Sequence, residues 1–450
     1  MKSRIFLVIA IIFFSGGVAF SQNDTLALSY GGNFDTENEN AVLLSLEECI
    51  AAALENNYSI MISENDLEIT RNNVTLAPFL PSVTLTSRQS SSSQHQRNYA
   101  SDGSKGDDVV KSNTIQNGAS LNWRLFDGLA MFAQREKQEE LLAQGEYNFK
   151  SAMERLVMDV SSQYYTIITL HNQVQLLNEQ VSISETRYNQ ALTRYNIGSD
   201  SGLEYKQAKI YLNSDMSRLM LQQEVLKNAY IELYRIINVP FDANYVIRDT
   251  IPIEGELQLN SLLDIAEKNS TTLNAIRVGE KIAMLDTKIA KASRYPTLDF
   301  SAGYNYNFNQ SQYFPSRYNE INGPNWGFSL SIPIFNGNEI NRRIKNARIS
   351  EESSRLSYEK AKQDVMSNLR QLHNLYTNNL RSIDFEEESQ DAARLNLEAA
   401  MEKYRLGSLS GIEFRDYQIS YLEAANRKLN AIYQAKASEI SLMLISGVLL

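Results

Sequence analysis

Two stretches of this 450-residue chain place carboxylates where charge could be used. RYNIGSDSGLEY starts at Arg194 and KYRLGSLSGIEF at Lys403; each holds a Gly-Ser turn followed by an acid, Glu204 in the first and Glu413 in the second. Asp416 lies one helical turn beyond Glu413. Carboxylates gathered in this way attract cations and repel one another, and protonation relieves the repulsion. They also suit the first turn of any helix, whose amide dipoles favour negative charge. Covalent chemistry has no comparable foothold. His95, His171 and His373 are far apart, Cys49 is the only cysteine, and there is no phosphate loop or HExxH. No catalytic residue, metal site or cofactor is therefore expected.

Each turn closes a long helix. Gly128 to Tyr195 and Gly337 to Tyr404 contain no proline and read as helix throughout. In the first, Leu156, Val160, Gln163, Ile167, Leu170 and Val174 begin a series at alternating steps of four and three that continues to Tyr195. That is the seam of a left-handed coiled coil. At ~1.5 Å per residue such a helix runs ~100 Å. Gly198 and Gly407 follow tyrosine-bearing final turns, where a residue able to take positive φ ends a helix. A shorter helix and two strands precede each long helix, and a return helix follows it. Phe126-Asp127-Gly128 and Phe335-Asn336-Gly337 stand 209 positions apart, and the two turns keep the same offset. The chain therefore reads as an internal duplication.

The expected organisation is a first repeat over 46–238, a linker over 239–258 and a second repeat over 259–447. The first helix of each repeat is expected over Leu46–Leu76 and Leu259–Ser293. Ahead of the repeats, Lys2 and Arg4 precede an apolar run from Ile5 to Phe14, with small Ala19 and Ser21 beyond. This predicts a cleaved secretory signal over 1–21 and a polar leader over 22–45; an uncleaved anchor is the alternative, for which the apolar run is short. No later run reaches 18 apolar residues, so no transmembrane helix is expected. The formal net charge of −10 offers no basic footprint for nucleic acid.

Four segments alternate as strands. Val83 and Leu85 share a face before the pattern fades, and the polar stretch Ser90–Asn113 reads as an exposed loop. Leu121, Trp123 and Leu125 face away from Ser120, Asn122 and Arg124; Leu298 and Phe300 continue to Phe308; Trp326, Phe328, Leu330 and Ile332 oppose Ser329 and Ser331. Apolar-out and polar-in alternation fits an outer-membrane barrel drawn from 82–126 and 297–335, although a small soluble sheet packed on helices shows the same alternation. Four strands cannot close in lipid, where every edge amide and carbonyl must be paired, so a barrel would need several copies of the chain.

The signal segment, the duplicated helix–strand–strand–helix–helix order, LPS at Leu80 and YPT at Tyr295 leading into the first strand of each half, and the turns RYNIGS and KYRLGS together resemble the TolC-like outer-membrane efflux protein family. The resemblance spans essentially Leu46 to Ser446. It implies a mixed α/β membrane protein: a homotrimer with a twelve-stranded β-barrel in the outer membrane, four strands per subunit, continuous with a coiled-coil α-helical tunnel in the periplasm. It implies a periplasmic adaptor, an inner-membrane transporter of RND, MFS or ABC type, and outer-membrane lipid as partners. Gly198, Ser199, Gly407 and Ser408 would be tips that meet the adaptor. Glu413 and Asp416, with Glu204, would line the entrance, and Tyr404 matches a gate-linking tyrosine. Leu409 departs from the pattern, standing where the best-known member has an arginine, so Arg405 or Arg415 would have to substitute. The competing reading, a non-conducting secreted coiled-coil or envelope-spanning structural protein, gives no reason for four aromatic strands.

Overall fold

The computed structural model describes residues 42–199, 202–241, 245–247, 249–255, 257–311 and 317–449; the expected signal and most of the expected leader lie outside them. In chain order the elements are β1 (Val42–Leu43), α1 (Leu46–Asn56), α2 (Tyr58–Asn72), β2 (Ser82–Tyr99), β3 (Lys105–Phe126), α3 (Ala130–Asn196) and α4 (Leu203–Ile237). These are followed by β4 (Tyr245–Val246), α5 (Leu259–Asn269), α6 (Thr271–Ala292), β5 (Thr297–Ser311), β6 (Tyr318–Ser331), α7 (Glu339–Arg405) and α8 (Gly411–Ser446). The halves repeat element for element, and α3 and α7 are both 67 residues long.

The first helix of each half is broken, contrary to the continuous helices expected. Asn57 is extended (φ −70°, ψ 125°), and its side chain accepts the Ser59 amide at 2.8 Å, ending α1 and capping α2 in one residue. Ser270 makes the equivalent break in the second half. The breaks receive the return helices. Asn57 Nδ2 donates to the Ile236 carbonyl at 2.8 Å and Asn238 Nδ2 to the Asn56 carbonyl at 2.9 Å, so the end of α4 abuts the start of α2, and both lie along α3. At the end of α8, a Cβ on Gly447 would come within 2.6 Å of the Asn269 carbonyl oxygen.

The core is deepest at these junctions. Leu156, Val160 and Ile167 of α3 pack with Leu233 and Ile237 of α4 and with Cys49, whose thiol burial pushes up to about 12. Leu262, Leu273, Leu369, Tyr376 and Leu442 form the matching cluster of the second half. The connection between halves is tied down over this core: Tyr164 Oη donates to Asp249 Oδ2 at 3.1 Å and Tyr376 Oη to the Glu254 carbonyl at 2.7 Å.

The four long strands form one antiparallel sheet in the order β2-β3-β5-β6, leaving β2 and β6 as open edges. Because paired residues share a face, the register aligns Val83, Leu121, Ala302 and Trp326 across the sheet, then Trp123, Phe300 and Phe328, then Leu298 and Leu330. The opposite face carries Ser82, Asn122, Ser301 and Gly327 in one row and Arg124, Asp299 and Ser329 in the next, with Arg124 Nε donating to Asp299 at 2.9 Å. A bulge between Arg124 and Phe126 places Phe126 opposite Leu298 and interrupts the alternation expected to run on through Leu125. Ile332 follows the last residue of β6 and is exposed. The stretch Ser90–Asn113 is not a loop. It is a paired β2–β3 ribbon running to Tyr99 and Lys105, reversed over Ala100–Ser104. Among the described residues no helix is long and apolar enough to cross a membrane.

Candidate functional site at the helical hairpin tips

Each long helix ends in the same hydrogen-bonded turn. Gly198 (φ 77°) donates to the Tyr195 carbonyl and Ser199 to Arg194; Gly407 (φ 76°) donates to Tyr404 and Ser408 to Lys403. This double bond around a left-handed glycine satisfies carbonyls that the helix end leaves open. Gly198, Ser199, Gly407 and Ser408 are exposed. Beside them stand aliphatic side chains at matching positions: Ile197 and Leu406 on the turns, Leu203 and Ile412 at the starts of the return helices, each at least 65 % exposed. Leu409 instead is half-buried, packed against the cluster of Leu397, Ala400, Tyr404 and Phe414.

Behind the tips, the α3–α4 and α7–α8 hairpins are joined by a polar seam. Arg194 Nη2 donates to the carbonyls of Tyr404 at 2.6 Å and Arg405 at 3.2 Å. Tyr404 Oη donates to Glu204 Oε1 at 3.1 Å, and Arg187 Nη2 to the same oxygen at 3.2 Å. One level on, Arg415 grips Asp215 with two bonds of 2.7 Å, and Ser184 Oγ donates to Asp215 Oδ2 at 2.6 Å. The guanidinium groups of Arg187 and Arg415 each lie 5.1 Å from the centre of the Tyr211 ring. Arg187, Asp215 and Arg415 are all at most 5 % exposed. The hairpins approach closely at Gly411: a Cβ there would run into the Glu204 carboxylate and the Arg187 guanidinium.

The expected entrance residues divide. Glu204 and Tyr404 meet in this seam, where burial, and then the Glu204 charge, raise the Tyr404 hydroxyl pKa. Glu413 and Asp416 stay outside it and are exposed. Glu413 closes a capping box: its amide donates to Ser410 Oγ, and its carboxylate accepts from the Ser410 hydroxyl and amide, which lowers its pKa. Of the two arginines considered as substitutes at the tip, Arg405 pairs with Glu402 on the surface and Arg415 is committed to Asp215. The sequence reading missed Gln180, Arg187, Arg194, Asp215 and Gln418. The available signal was Gln180, Ser184, Arg187 and Ala191, which repeat at steps of four, three and four, all buried and only one apolar. Among the described residues no group of His, Cys, Asp and Glu is placed to hold a metal ion.

The family described as outer membrane efflux protein matches residues 49–239 and 262–448, once for each half. The chain is 20 % identical over 351 residues to the outer membrane protein TolC of Escherichia coli K12, covering 76 % of this chain and 71 % of that protein. Its fold superposes on the CmeC outer membrane channel of Campylobacter jejuni with a TM-score of 0.75, covering 95 % and 94 % of the two chains at 14 % identity. The open state of the MtrE outer membrane channel of Neisseria gonorrhoeae gives a TM-score of 0.66, at 90 % and 89 % coverage and 17 % identity.

Proposed function

Because the chain belongs to the outer membrane efflux protein family, we propose that it is one of three identical staves of an export duct. Membership places it in the outer membrane as the export channel of a multi-component system, a role in transport and not in catalysis. The observation that carries the trimer is the sheet. Over the rows from Val83 and Leu121 to Leu298 and Leu330 one face is largely apolar, and both edges, β2 and β6, are open. In hydrocarbon an open edge leaves unpaired amides and carbonyls, so the edges must meet those of other copies. Three subunits then give a twelve-stranded barrel with Leu121, Trp123, Leu298, Phe300, Trp326, Phe328 and Leu330 toward lipid, Ile332 at its rim and Ser329 toward the lumen.

Below the barrel, the coils form a periplasmic tunnel. Its tips, around Gly198, Ser199, Gly407 and Ser408, present the aliphatic pairs Ile197–Leu203 and Leu406–Ile412 to a periplasmic adaptor, with an RND, MFS or ABC transporter beyond it. Glu413 and Asp416 from three chains ring the entrance, and the Glu204–Tyr404 bond helps hold it shut. Buried Gln180, Arg187 and Gln418 each keep side-chain atoms without a hydrogen-bond partner among the described residues. Groups of this kind gain hydrogen bonds on hydration, which favours separation of the hairpins when the duct opens.

Native mass spectrometry of the detergent-extracted protein tests the assembly: a trimer is expected, and a predominant monomer would overturn it. Spin labels at Leu330 and Ser329 test the wall, with a lipid-soluble quencher reaching the former only. Leu330→Arg should cost about 2–4 kcal/mol near the bilayer midplane.

A further inference from the structure

The two halves differ most in charge where the long helices leave the sheet. At the common offset of 209, Ala133, Gln134, Glu136 and Glu139 of α3 correspond to Arg342, Arg343, Lys345 and Arg348 of α7. The α7 cations crowd the first three turns of the helix, the end at which backbone dipoles disfavour positive charge. Glu339 is the only acid of those turns, and its one carboxylate is shared by Arg342 and Arg343 at 2.8 and 2.9 Å. From the neighbouring end of α6, Lys291 and Arg294 join the patch, and Arg294 Nη2 bridges to Asn341 Oδ1 at 2.7 Å. All six cations are exposed, and Lys291, Lys345 and Arg348 have no ion-pair partner among the described residues.

Position gives this patch its meaning. Arg294 lies three residues before β5 begins and α7 starts eight residues after β6 ends, so the cations sit directly beneath the sheet. Between patch and sheet stand exposed Tyr295, Ile332, Ile334 and Phe335, the last two 93 % and 87 % exposed. Aromatic and aliphatic groups beside lysine and arginine are the composition of a membrane–water boundary. Lys291 and Arg348 also line the α6–α7 cleft, where the charge is mixed, with Glu280, Glu351 and Glu352 beside Arg355. Arg294, Arg342, Arg343 and Lys345 stand outside that lining, on the side nearer the sheet.

We propose that this patch is a docking surface for the phosphate-bearing headgroups of anionic phospholipid in the periplasmic leaflet, which the second half of each subunit holds and the first half does not. The proposal rests on the strands spanning the membrane. Cations near a charged leaflet contribute about 1 kcal/mol each, a factor of about five in affinity, and act within a Debye length.

The test is lipid retention by the whole protein. It is reconstituted in phosphatidylcholine vesicles containing a minority of phosphatidylglycerol, re-extracted, and its bound lipid weighed by native mass spectrometry. Phosphatidylglycerol should be enriched on the wild-type protein. A variant with Lys291→Gln, Lys345→Gln and Arg348→Gln should lose that enrichment at least about fivefold, while still inserting and migrating as the same oligomer. Equal enrichment in wild type and variant, or none in either, overturns the proposal. A variant that inserts but falls to monomer also overturns it, because the cations would then be subunit-interface pairs. A wild-type protein that does not insert at all would instead refute the barrel on which the proposal is built.

Discussion

The two hairpin tips share a backbone and divide the work of their side chains. Both long helices span 67 residues, and both end in the same glycine turn with paired bonds to preceding carbonyls. At the start of the return helix they part. Ser410 and Glu413 cap α8 reciprocally, and that acid remains at the surface. The corresponding start of α4 has Gly202 at φ 82° with no side-chain cap, and Glu204 is drawn between the hairpins by Arg187 and Tyr404. Duplication preserved what the backbone needs, a glycine and a fixed helix length. A reciprocal cap on one side and the buried Arg187 on the other accompany the divergence of the two acids, one outward and one in a clasp.

The largest effect separating the tips should come from the buried pair between them. Arg415→Leu would leave Asp215, 1 % exposed, with Ser184 as its one hydrogen-bond partner among the described residues. Removing one partner of a buried pair costs about 3–5 kcal/mol. Hydrogen exchange should speed up at the amides of both hairpins, and Arg415→Leu combined with Asp215→Leu should recover much of the protection. Arg405→Leu removes only a surface pair with Glu402 and should change almost nothing. Equal effects from the two arginines would mean that the seam does not hold the hairpins together.

A smaller effect is expected at the clasp. Tyr404→Phe removes one hydroxyl, 3.1 Å from Glu204, and leaves the ring stacked on Phe414. The loss should be about 0.5–1.5 kcal/mol, seen as more frequent or longer openings in single-channel records. Because burial raises the hydroxyl pKa, Tyr404 stays a neutral donor across the neutral range. Alkaline loosening of the wild type at neutral to mildly basic pH would therefore point to a group other than Tyr404.

What the residues revealed follows from where apolar contrast exists. The duplication, the long helices and the apolar face through Leu121, Trp123, Phe300 and Phe328 were legible, because each repeats a large apolar group at a fixed period. The β2–β3 ribbon over Ser90–Asn113 was not: both its faces are polar, and backbone pairing alone makes it a strand. The break at Asn57 hides in a sequence that is otherwise helical on both sides. The seam was hidden for the opposite reason. Arg187, Asp215 and Arg415 look like solvated charges one at a time, and only the fold shows that Arg415 neutralises Asp215 and that Arg187 pairs with Glu204. Glu204 was singled out by its place in the repeat and Tyr404 by the family resemblance, while their partner Arg187 has no such marker.

The smallest effect on stability, and the sharpest on function, belongs to the outward acids. Glu413→Gln with Asp416→Asn touches neither the seam nor the sheet, so assembly should be unchanged. If three copies ring the entrance, the double variant should lose cation selectivity and be less sensitive to block by divalent cations, most clearly at low salt, where a charged ring is least screened. Acidity adds a second reading. The Ser410 cap lowers the Glu413 pKa, so its contribution to stability is present above the unfolded-state pKa and is lost only as pH falls through the lower folded value. Crowding of three carboxylates acts the other way and raises the value. Selectivity that persists below the usual carboxylate range means the cap dominates and the acids stand apart. Selectivity that fades above that range means they crowd one another, as a narrow entrance requires. Unchanged selectivity and block in the double variant would leave Glu413 and Asp416 as helix-start acids, and the second tip with no electrostatic role to set against the clasp of the first.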